Sequence, residues 1–77
     1  MRDKTYAAVM AELHRARTKH PAWPVDDVIH AAAIVAEESG ELIRAALHVR
    51  YEKGSLEDAN AEAVQTIVTC IRFLEEQ

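Results

Sequence analysis

From Asp3 to Lys19 the apolar residues Tyr6, Val9, Met10, Leu13 and Ala16 recur every three or four positions, with Glu12, Arg15 and Lys19 on the other side. That period is the mark of an amphipathic helix. The run His20-Pro21-Ala22-Trp23-Pro24 ends it, because proline disfavours helix at the residue before it and has no N–H to donate. A second helix is predicted from an N-cap at Asp26 to about Tyr51, with Ile29, Ala33, Ala36, Ile43 and Leu47 among its apolar positions. Gly40 weakens its middle by about 1 kcal/mol relative to alanine. Lys53-Gly54-Ser55 stops this helix, with Gly54 expected as the C-terminal cap and Ser55 to Asp58 as a variant capping box for the next. The third helix runs to about Glu75 and carries Val64, Ile67, Val68, Ile71 and Leu74 as its stripe.

The pattern predicts a single all-α domain over residues 1–77: an antiparallel helical hairpin preceded by an N-terminal helix. At about 1.5 Å per residue the middle helix is roughly 39 Å long and its neighbours roughly 26–29 Å. Part of its apolar surface should therefore outrun them, and a homodimer or homotetramer with four-helix-bundle-like cores is expected. The alternative is a monomeric three-helix bundle with frayed ends to the middle helix. Small domains without disulfides or metals lean on partners or on idealised packing, which favours the oligomer.

Composition narrows the setting. With 49% hydrophobic residues, two Gly and two Pro in 77 residues, the chain has the make-up of a folded domain and not of a disordered tract. The single Cys70 has no internal disulfide partner, which points to a reducing, cytoplasmic compartment. The longest stretch free of charge and proline, Val28 to Ala36, falls far short of the roughly 20 apolar residues of a membrane span. Met1-Arg2-Asp3-Lys4-Thr5 has no signal-peptide character. Residues 1–20 carry five Lys/Arg against Asp3 and Glu12, a balance of +3, whereas residues 21–77 carry four against eleven acids, a balance of −7. No nucleic-acid polymer is expected as a partner of so acidic a chain. One basic helix beside an acidic majority suits a phosphate together with a metal.

The candidate chemistry lies in helices two and three. In Glu37-Glu38-Ser39-Gly40-Glu41 the i, i+3 spacing puts Glu38 and Glu41 on one face, and Glu62 and Gln65 share that spacing on the next helix. A short loop at Gly54 makes the two helices antiparallel neighbours, so the pairs face each other. Three carboxylates, an amide carbonyl and nearby Glu37 form an all-oxygen set suited to Mg²⁺ or Mn²⁺ rather than to zinc. The plainer reading is a solvated acidic face, since glutamate is a good helix former.

Glu37-Glu38-Ser39-Gly40-Glu41-Leu42 resembles the EExxE element of the MazG-like, all-α NTP pyrophosphatase superfamily. Glu62-Ala63-Val64-Gln65 and the apolar run after it resemble the family's second element, ExxD and its helix. The resemblance spans roughly residues 26–74. It implies Mg²⁺ ligation by Glu38, Glu41, Glu62 and Gln65, with Glu37 an outer or second-metal ligand. It also implies hydrolysis of a nucleoside triphosphate to a monophosphate and pyrophosphate, with Glu37 or Glu38 orienting or deprotonating the attacking water. Gln65 departs from the family's Asp: an amide oxygen ligates Mg²⁺ without charge, which weakens the site. That departure leaves open a non-catalytic oligomerisation or partner-binding module on the same fold.

Further residues are candidates for the nucleotide. Arg15 and Lys19 lie a turn apart, where they reach a phosphate tail or face solvent. Trp23 stacks on a base or anchors the core, and His30, two turns before Glu37 and Glu38, touches a nucleotide or packs. Pairings such as His14 with His20, or His48 with Glu52, lack the further ligands zinc requires. Cys70 beside Ile71 reads as a buried, inert thiol.

Overall fold

A computed structural model describes all 77 residues, which form three helices and no strand: α1 (Asp3–Lys19), α2 (Val28–Tyr51) and α3 (Leu56–Glu75). α1 ends where the His20 N–H reaches the Ala16 carbonyl at 2.8 Å, one residue before Pro21. The cap of α2 is Asp27 rather than Asp26: its carboxylate accepts the His30 N–H at 3.0 Å, three residues on, the register in which a side chain satisfies a first-turn amide. At the other end Lys53, not Gly54, takes the left-handed conformation, with φ 57. Glycine is needed at 54 for space: its N–H meets the His48 carbonyl at 2.8 Å, and a Cβ there would lie 2.7 Å from His48 Cβ. Ser55 caps α3 by accepting the Glu57 N–H at 3.0 Å. Asp58 donates its backbone N–H to the Ser55 carbonyl at 3.1 Å and not to the serine hydroxyl, so Ser55 is a simple N-cap and the expected capping box does not form.

α3 packs against both other helices, more extensively against α2. Ala32 and Val35 lie beside Cys70, Phe73 and Leu74, while Glu37, Glu38 and Glu41 lie beside Glu62 and Gln65, so α2 and α3 are antiparallel. Ala8 neighbours Val64 and Arg17 reaches Glu75, so α1 runs in the same direction as α3. The core is small. Val9 and Leu13 of α1 meet Val68 of α3, with Ala16, Val64 and Ile71 half-buried around them.

Beyond that core the apolar surface is open. Of the 24 residues of α2 only Ala31 is buried, and Ile29, Ala33, Ala36, Ile43 and Leu47 are exposed. Cys70, expected inside, is exposed in a shallow apolar groove with Ala32, Val35, Phe73 and Leu74, because no second layer covers that side of the hairpin. No helix is long and apolar enough to cross a membrane.

The loop between α1 and α2 is held by a buried arginine. Arg72 donates from Nε and Nη2 to the Glu76 carboxylate at 2.8 and 3.0 Å, and from Nη2 to the Pro21 carbonyl at 3.5 Å. Its guanidinium also covers the Trp23 ring. Arg17 completes the network with Glu75 at 2.9 Å and Glu76 at 3.4 Å.

Candidate functional site

The antiparallel register of α2 and α3 brings Glu37, Glu38 and Glu41 opposite Glu62 and Gln65 in one cleft. α1 closes its side with Glu12, Arg15 and Ala16, and His20 stands at the end of that helix. A second-turn bond steadies the α3 wall, the Thr66 hydroxyl donating to the Glu62 carbonyl at 2.9 Å. The i, i+3 spacing on each helix thus does what it predicts: both pairs of side chains line the same space.

The electrostatics divide the acids into two kinds. Burial raises the Glu38 carboxyl above its ordinary value, and the charges of Glu62, Glu37, Glu41 and Glu12 push the same way. Glu12 behaves oppositely. Hydrogen bonds from Arg15 lower its carboxyl, against an opposing effect of burial, with further help from the Gln65 side chain and the charge of Lys19. Arg15 grips both of its oxygens, Nε to Oε1 at 2.8 Å and Nη2 to Oε2 at 2.6 Å.

The chemistry of the donor set fits a hard divalent cation, because four of the five polar side chains facing the cleft from α2 and α3 are carboxylates and the fifth, Gln65, offers an amide oxygen. As the side chains stand, no group of three His, Cys, Asp or Glu residues is gathered closely enough to hold a metal ion. Mutually repelling carboxylates spread apart, and their charges add to the burial that already raises the Glu38 carboxyl.

Of the residues singled out from the sequence, Glu37, Glu38, Glu41, Glu62, Gln65 and Arg15 come together. Lys19 does not line the cleft, although its charge reaches Glu12. Trp23 lies elsewhere, with Pro24, Val28 and Phe73, beneath Arg72. His30 is exposed in the first turn of α2, where its backbone N–H serves the Asp27 cap. Glu12 and His20 were not among those candidates: the pattern puts Glu12 on the polar side of the first helix, and His20 enters only in a zinc pairing with His14 that lacks further ligands. Glu12 sits three positions after Val9 and four before Ala16, so at about 100° per residue it flanks the buried stripe instead of opposing it. That angular position was the available signal. His20, beyond the helix end, has no such signal.

No family model, no curated protein and no solved structure matches this chain.

Proposed function

We propose that this protein is a Mg²⁺-dependent nucleoside triphosphate pyrophosphohydrolase, of the MazG-like kind, acting on nucleotide pools in the cytoplasm. The supporting observation is the single cleft in which glutamates of α2 and α3 face each other with an arginine of α1 at the edge. Glu38, Glu41, Glu62 and the Gln65 carbonyl are the oxygen donors for the cation, Mn²⁺ being an alternative to Mg²⁺. When bound, the cation supplies neutralisation of the phosphate charge and a more acidic water. Glu37 or Glu38 orients the water and accepts its proton as oxygen attacks the α-phosphorus. The bond from that phosphorus to the bridging oxygen breaks, and pyrophosphate leaves with its electron pair. Arg15 binds a phosphate oxygen of the departing end.

The active form in this reading is a homodimer or homotetramer built on the open faces of α2 and α3. A compact chain of 8.6 kDa exposes about 4,700 Å². This one exposes 5761 Å², and its radius of gyration, 13.3 Å, exceeds the roughly 11.5 Å of a compact domain of this length. The surplus, on the order of 1,000 Å², is the size of one side of a standard interface. A second reading, a helical binding module without catalysis, is favoured by the uncharged Gln65.

Pyrophosphate release from a panel of NTPs and dNTPs, with and without Mg²⁺, separates the two readings when run beside Glu41→Gln. Release that needs the metal and is lost in the variant is expected. Silence across the panel overturns the enzyme reading.

A further inference from the structure

Arg15 has four cleft glutamates to choose from besides its own neighbour, yet every hydrogen bond it makes goes to Glu12. A long cation beside so many carboxylates would ordinarily fall onto the nearest of them and occupy the oxygens meant for a metal. Glu12 lies one turn before Arg15 on the same helix, and both its oxygens accept from the guanidinium. An exposed pair at this spacing contributes little to stability, but this one is not simply exposed: the Glu12 side chain keeps 16% of its surface and Arg15 keeps 51%. The half-buried partner holds and the open partner offers.

A guanidinium has five N–H groups, and the grip of Glu12 engages the Nε hydrogen and one on Nη2. The rest have no protein acceptor. Glu12 is correspondingly a poor metal ligand, since its oxygens are already committed to Arg15.

We propose that Glu12 is a positioning residue that reserves Arg15 for the pyrophosphate end of a bound ligand by holding its guanidinium away from the metal-facing glutamates. This rests on the reading of the cleft as a site for a polyphosphate and a divalent cation. Its consequence is a division of labour by charge: α2 and α3 face the cation, and α1 presents the one fixed arginine to phosphate oxygens that the cation leaves uncovered.

The test is calorimetric titration of the full chain with Mg²⁺ alone and with inorganic pyrophosphate in the presence of Mg²⁺. Arg15→Gln should weaken pyrophosphate binding about tenfold, the scale of a charge-assisted hydrogen-bonded contact. Glu12→Gln should weaken it to a similar degree, Glu12→Asp should retain most of the affinity, and Glu12→Gln with Arg15→Gln should be no weaker than Arg15→Gln alone. Glu12→Gln should also weaken Mg²⁺ binding severalfold, as the released arginine settles on the glutamates, and removing Arg15 as well should restore it. A purely structural role for Glu12 predicts no such restoration. If the double variant binds Mg²⁺ as poorly as Glu12→Gln, or if Glu12→Gln leaves pyrophosphate affinity unchanged, the proposal is overturned. If the wild type binds no pyrophosphate, the polyphosphate reading falls and this proposal with it. The expected pattern without nucleotide hydrolysis sustains the positioning role and overturns only the enzyme.

Discussion

The guanidinium carbon of Arg72 lies 4.9 Å from the centre of the Trp23 ring, so a charged side chain that is only 4% exposed covers the tryptophan of the first loop. The contact joins the start of the hairpin to the last turn of α3, with Glu76 and the Pro21 carbonyl taking the N–H groups. Trp23 is thereby a structural anchor in this chain, away from the acidic cleft.

Replacing Arg72 removes the stacking and leaves Glu76 without its closest donor. Arg72→Met keeps the apolar stem against Trp23 and should cost about 2 kcal/mol in unfolding free energy, measured by urea denaturation. Trp23→Ala should cost a similar amount or more and leave Mg²⁺ affinity unchanged.

The same network sets a response to acid. Hydrogen bonds from Arg72 hold the Glu76 carboxyl below its ordinary 4.5, against an opposing effect of burial. A depressed carboxyl adds stability that is present above the unfolded value and lost as pH falls through the folded one. Glu76→Gln should therefore be less stable than wild type at pH 7, by about 1 kcal/mol. The gap should close as denaturation is repeated below about pH 4.5.

Glu38 has the opposite sign. Its carboxyl is raised by burial and by four neighbouring acids, so its charge works against the folded state at neutral pH in the absence of a cation. Glu38→Gln should raise the metal-free midpoint of thermal unfolding by a few degrees and remove the stabilisation that added Mg²⁺ gives the wild type. A variant that loses stability and still responds to Mg²⁺ would take Glu38 out of the site.

Gln65→Asp adds a carboxylate to the α3 wall. If position 65 faces the cation, Mg²⁺ should bind several-fold more tightly, read by calorimetry, and the metal-free protein should become less stable through added repulsion. Unchanged Mg²⁺ affinity would remove residue 65 from the ligand set.

Ile43 and Leu47 stand 60% and 51% exposed on α2. If they lie within the interface between copies, Leu47→Lys should move the protein on size-exclusion chromatography with light scattering to the monomer mass of 8.6 kDa. The wild type should elute at two or four times that mass.

The helices were legible in the sequence because each carries a stripe at helical period and stops at proline or at the Lys53-Gly54-Ser55 turn. The choice of Asp27 over Asp26 was not, since either aspartate is a competent cap and only the backbone conformation decides which one reaches an amide. The Glu38, Glu41, Glu62 and Gln65 set was legible from spacing, as it depends only on two antiparallel helices. Glu12 was obscured by its type: a charged residue beside a stripe reads as solvent-facing until the direction of α1 along α3 is known. His30 and Trp23 stood between ligand contact and packing in the sequence because distance along a helix or loop says little about which side the side chain serves. The exposure of Cys70 likewise depends on which side of the hairpin has no second layer.

Gly54 approaches His48 too closely to admit a side chain, which fixes the turn between α2 and α3 against the last turn of α2. Length here is phase. With the turn fixed there, adding one residue within the first turn of α3 rotates the rest of that helix by about 100° against α2, which carries Glu62 and Gln65 together out of the cleft and brings Ala61 and Val64 toward it. Deletions and insertions at residues 57–60 should therefore abolish the proposed cation binding while leaving helix content intact, whereas point changes on the outer face of α3 should be absorbed. The hairpin works as an index that keeps two rows of oxygen donors in step.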